Sequence, residues 1–126
     1  MDGNTAVYLQ YANARIRSIL RKAEAAGKMA KANAVILSAP AERALTLKLA
    51  QFPAAVQMAT DHLQPHRLCT YLYETATAFS TFYETCSVLN AETAELRASR
   101  LLLCELASRT ITAGLNLLGI EAPERL

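Results

Sequence analysis

Near the start of the chain, Tyr8, Tyr11, Arg15, Ser18 and Lys22 recur at steps of three and four. In a 3.6-residue helix such steps line side chains up along one side. Phenol rings and cations therefore share one face, which looks made for a partner. The same spacing is equally that of tyrosines packed on the rim of a core, with the cations solvated, and periodicity leaves both readings open. Other chemistry is scarce. His62 and His66 have the four-residue spacing of a helical metal pair, but Pro65 stands between them and no third ligand is well spaced, so no metal site is expected. The chain has no glycine-rich phosphate loop, no Ser/His/Asp set and no paired carboxylates around an obvious cleft. No catalytic residue is expected.

A helix must position that stripe, and a second set of residues supplies its anchor. Leu9, Ala12, Ile16, Ile19, Leu20 and Ala23 fall on an apolar face about 100° away from the tyrosines. The helix opens near Asn4 or Thr5 and closes at Gly27. Residues 28–38 read as a connector. A second helix starts at Pro40 and Glu42 and buries Leu45, Leu47, Leu49 and Phe52, and Pro53 punctuates. A short third helix carries Val56, Met58, Ala59 and Leu63 as far as Pro65. The fourth, from Pro65 to about Thr85, holds Leu68, Leu72, Ala76, Phe79 and Tyr83 at heptad-like steps and is expected to be central. Asn90 is placed to cap a last helix through Leu118, closed by Gly119. No segment has the period of two that strands require. The fold class is all-α: one domain over residues 1–126, a bundle of about five helices.

Charge is unevenly spread. From Arg15 to Lys31 six cations face Glu24 alone, a net +5, and the other seven cations and ten anions leave −3. A basic end of this kind attracts phosphate backbones. The three cysteines, Cys69, Cys86 and Cys104, are far apart and odd in number, which predicts no disulfide framework and a reducing cytoplasm. No apolar run is long enough to cross a bilayer and no leader is evident, so no membrane partner is expected.

Three segments carry a family resemblance. They are Asn4-Thr5 with Tyr8-Leu-Gln-Tyr-Ala12, Ala14-Arg-Ile16 and Ser18-Ile-Leu20; Pro65-His-Arg-Leu68 with Tyr71-Leu-Tyr-Glu74, Phe79 and Phe82-Tyr-Glu84; and Gly114-Leu-Asn-Leu-Leu-Gly-Ile120 with Ala122-Pro-Glu-Arg125. Together they resemble the all-helical C-terminal anticodon-binding domain of arginyl-tRNA synthetases, the DALR domain. The sequence departs from the family at Asn13, where His is usual, and at Leu126, where Met is usual; both departures are expected to alter detail at the tRNA surface.

The resemblance implies a fragment whose class I catalytic domain, the user of ATP, lies before Asp2. This domain itself would need no cofactor. Its implied partners are tRNA, not DNA, and its own catalytic domain, in the cytoplasm. The resemblance places Tyr8, Tyr11, Arg15, Tyr83 and Leu126 near the anticodon loop, although spacing alone makes Tyr83 a core residue. Unpaired loops are the parts of RNA whose bases can splay onto aromatic rings. Every arginine anticodon has a central cytosine, so one pocket could serve all isoacceptors. Arg15, Arg17, Arg21 and Lys22 would hold phosphates and set register. The competing reading is a non-catalytic helical module whose Tyr and Arg face docks a protein or dimerises, since such residues are enriched at protein interfaces too.

Overall fold

The computed structural model describes residues 3–125 and consists of five α-helices: α1 (Gly3–Ala25), α2 (Pro40–Ala50), α3 (Phe52–Asp61), α4 (Pro65–Thr85) and α5 (Ala94–Leu117). No strand occurs among the described residues. Helix α4 packs against all four others, which makes it the centre of the bundle, as its apolar spacing predicts. Leu68, Leu72, Ala76, Phe79 and Phe82 of α4 are buried, and they meet Leu9, Ile16 and Ile19 of α1, Leu45 of α2 and Leu101, Ile111 and Leu115 of α5 in one continuous core.

Paired residues give the helix directions. Tyr8 meets Tyr73 and Arg15 meets Tyr83, so α1 and α4 run parallel. Asn13 meets Ser108 and Lys28 meets Arg97, so α5 runs back against α1. Glycine ends both long outer helices: at Gly27 (φ +67°) and Gly119 (φ +77°) the chain turns left-handed, and Lys28 and Ile120 donate to the carbonyls of Ala23 and Leu115. Leu63 occupies the same left-handed position after α3 (φ +50°), where a branched residue is strained.

Two boundaries and one burial differ from the sequence-based expectation. Thr93, not Asn90, caps α5, accepting from the Leu96 amide at 3.0 Å, because the Asn90 side chain is taken by the Lys28 ammonium at 3.3 Å. The break that Pro53 marks falls at Gln51, so Phe52 opens α3 and does not close α2, and Pro53 sits in the first turn of α3, where its missing N–H is no loss. Leu47, expected inside, is 62% exposed, because α2 buries only the stripe through Leu45 against α4.

The start of α2 is held by a charge removed from water. Glu42 is fully buried, and one of its oxygens accepts from the Ser38 hydroxyl at 2.8 Å and the Ala39 amide at 2.7 Å. The other accepts from Arg100 Nε at 3.1 Å, and Arg100 also donates to the Ser87 carbonyl at 2.7 Å. Burial pushes the Glu42 carboxyl up, but the bonds from Arg100, Ser38 and Ala39 together with the Arg100 charge outweigh it, and the net shift is downward. Between α4 and α5, Gly114 meets Leu72 so closely that a Cβ there would lie 2.5 Å from a Leu72 methyl.

Two stability predictions follow from these contacts. Glu42→Gln should cost about 3–5 kcal/mol at neutral pH, because Arg100 is left without its charge partner. A group whose folded pKa is depressed stabilises fully above its unfolded value and loses that contribution as pH falls through the folded one. Urea denaturation should therefore show the wild type and the variant converging as pH is lowered below the ordinary value of 4.5. Gly114→Ala should lower stability by about 1–3 kcal/mol through overpacking, and a Leu72→Val background should remove part of that loss in the same melts.

Candidate nucleic-acid interface

Helix α1 has three sides. Its core side ends on Leu9, Ile16 and Ala23, all fully buried. To one flank, about 100° round, lie Tyr8, Tyr11, Arg15 and Lys22, facing the groove with α4. The Tyr8 ring pairs with Tyr73 of α4 at 5.0 Å between centroids and is half-buried. Tyr11, one turn on, is 60% exposed. Arg15 is exposed too, with its guanidinium carbon 5.1 Å from the centre of the Tyr83 ring. That ring stacks in turn on buried Phe79 at 6.0 Å and 24°. Arg15 is thus laid on an aromatic platform, with its charge toward solvent and an open ring beside it. Lys22 is exposed further along the same line, about 10 Å from Arg15 along the axis.

The two readings of the stripe therefore divide it between them. Tyr8 and Tyr83 are core-rim residues, and Tyr11, Arg15 and Lys22 face water. Leu126 lies outside the described residues. Tyr73, not among the residues singled out from the sequence, is exposed on α4 and paired with Tyr8; it lies about 80° round α4 from Tyr83, a spacing that marks a second aromatic edge.

The basic run does not form one face. Arg17 sits two residues, about 200°, round the helix from Arg15. Arg17 and Arg21 point to the C-terminal tail, where Glu124 accepts from both, at 3.1 Å and 3.2 Å. Lys28 is engaged by the Leu89 carbonyl and Asn90. Arg17 and Arg21, which the resemblance groups with Arg15 and Lys22 on the phosphates, thus lie on a different flank of the helix and are paired with Glu124.

The expectation for Asn13 is corrected. Asn13 is 2% exposed, and the Ser108 hydroxyl donates to its side-chain oxygen at 2.7 Å, so this position belongs to the α1–α5 seam and not to an outer surface.

His62 ends α3 and His66 stands in the first turn of α4, both exposed. No group of three metal-ligating side chains occurs among the described residues. Burial pushes the Cys104 thiol up to about 12, which keeps it protonated. No helix among the described residues is long and apolar enough to cross a membrane.

The division of the stripe predicts different stabilities. Tyr8→Ala should lower the unfolding free energy by about 1–2 kcal/mol, less than the loss of a fully buried ring, and Tyr11→Ala should change it by less than about 0.5 kcal/mol. Denaturant titrations of the two variants check this.

Comparisons with known proteins bear on what such a face serves. Residues 9–126 match the family model described as the DALR anticodon binding domain. An arginine–tRNA ligase of Frankia casuarinae is 56% identical over 126 residues, covering 99% of this chain and 21% of that protein. The arginyl-tRNA synthetase of Thermus thermophilus superposes with a TM-score of 0.81 at 39% identity, over 94% of this chain and 21% of its own. That of Plasmodium falciparum superposes at 0.78 and 31% identity, over 99% of this chain and 22% of its own. The chain thus spans about a fifth of the length of the relatives it matches.

Proposed function

The chain belongs to the DALR anticodon binding domain family, and from that membership we propose that it recognises the anticodon loop of arginine tRNA as one domain of an arginine–tRNA ligase. ATP and arginine are handled by the catalytic part of the ligase, in the cytoplasm, and this domain contributes binding without chemistry of its own.

The observation that carries the reading is Tyr11, an open ring one turn from a cation held over a second ring. A splayed anticodon base stacks on Tyr11, and the phosphate next to it meets Arg15. Tyr83 acts through Arg15: with Phe79 behind it, it fixes where the guanidinium lies. Lys22 meets a phosphate further along the stem. Stacking and charge thus divide the work, the ring favouring an unpaired base and the cations setting register without distinguishing sequence.

Mutants of Tyr11 and Arg15 should fail in different ways in an anisotropy titration with an arginine anticodon stem-loop and a scrambled loop. Tyr11→Ala should cost about 1–3 kcal/mol with the cognate loop, narrow the preference and leave the salt dependence nearly intact. Arg15→Ala should weaken both loops alike and lower the slope of log K against log salt by about one. If the wild-type chain binds cognate and scrambled loops equally, the reading is wrong and the exposed face belongs to a protein partner.

A further inference from the structure

On the flank of α1 away from the tyrosines, the C-terminal tail lies against the helix through polar contacts. Gln10 donates to the Glu121 carbonyl at 2.9 Å. Arg17 Nε reaches both carboxylate oxygens of Glu124, at 3.1 and 3.4 Å, and Arg21 Nη1 reaches one of them at 3.2 Å and the Glu124 carbonyl at 3.4 Å. Two guanidinium groups one helical turn apart therefore share one carboxylate, which is the arrangement in which a pair of arginines holds the two free oxygens of a phosphodiester.

We propose that Arg17 and Arg21 form a second RNA-phosphate site, separate from the Tyr11–Arg15 face, and that Glu124 occupies it as an internal counter-ion until an RNA backbone displaces it. Three observations carry this. The two cations outnumber the anion that covers them, so the closed clasp keeps a net positive charge and still attracts a polyanion. Glu124 is 63% exposed and lies outside any helix, so its bonds compete with water and are readily exchanged. A cavity of about 440 Å³ opens beside Arg17, between α1, α5 and the tail, with Arg109, Thr112 and Asn116 on its α5 wall. Arg109 is itself paired with Glu105 at 2.7 Å, so the cavity adds polar groups and a rim cation, and the carboxylate that lines it is Glu124 itself. The remainder of the tail does not depend on the clasp, because Ile120 and Ala122 pack against the core.

Glu124 on this account is a competitor that weakens RNA binding and lowers the salt concentration at which it is lost, which favours partners that offer phosphates on both flanks of α1 at once. The inference rests on the reading of the chain as a tRNA-binding domain, and its test has a separate readout. Glu124→Gln should bind the cognate and scrambled stem-loops alike more tightly, about three- to tenfold at low salt, and steepen the slope of log K against log salt by about one. Adding Arg17→Ala and Arg21→Ala to Glu124→Gln should abolish both gains. Glu124→Asp, which keeps the charge, should behave as the wild type. If Glu124→Gln binds no tighter, or more weakly at unchanged slope, the carboxylate is a structural anchor and the proposal is overturned, even if the preference for the cognate loop persists. If the slope steepens as expected but no variant prefers the cognate loop, the second phosphate site stands and anticodon recognition fails. Absence of any RNA binding overturns both.

Discussion

The fold depends on one buried charge. Glu42 has no water to return to, and each of its two oxygens is occupied by donors from separate parts of the chain: Ser38 and Ala39 from the end of the connector, Arg100 from α5. Arg100 passes the constraint on to Ser87 in the segment after α4. A single ion pair in low dielectric thus sets where α2 begins, how α5 is rotated and where the chain leaves α4. Taking two charges from water is costly, and the pair contributes only because the remaining lone pair and donors are filled as well. What it secures is register: displacement of α2 or α5 by a turn would leave a buried carboxylate without its partner.

With α2 and α5 fixed against α4, the seam between α4 and α5 closes at Gly114, where a side chain would strike Leu72. Close approach there leaves α1 to lie over the α4–α5 junction with Leu9, Ile16 and Ala23 pointing into it. Its remaining circumference has two flanks and nowhere else to put polar groups. Toward α4 come the rings, because Tyr73 and Tyr83 offer flat apolar surface on that side. Toward α5 and the tail come Asn13, Arg17 and Arg21, because Ser108 and Glu124 offer acceptors there.

The proposed binding face is therefore a consequence of packing. Tyr11 is open to solvent because the helix is held by its neighbours on the wheel, and Arg15 is pre-placed because Tyr83 is backed by Phe79. A cation laid on a ring that is itself stacked on the core loses little freedom when it meets a phosphate, which is the practical meaning of a pre-organised site. The same helix carries a second pair of cations under a different kind of control, a carboxylate on the tail.

Local pattern was sufficient for the helices and for most of the core. Apolar steps of three and four, Pro40 and Pro65 at helix starts and Gly27 and Gly119 at helix ends depend only on neighbours along the chain, so the all-α class, the central helix and the stripe of Tyr8, Tyr11, Arg15 and Lys22 were legible without coordinates. Contacts distant in sequence were not. Asn90 resembles a cap as much as Thr93 does until Lys28, some sixty residues away, takes its side chain. Arg17 and Arg21 look as free as Arg15 until Glu124, more than a hundred residues on, pairs with both. Asn13 looks like a surface departure until Ser108 closes over it. Helical periodicity assigns a residue to a side of its own helix; which element covers that side, and whether it brings a ring, a hydroxyl or a carboxylate, is decided only when the helices pack.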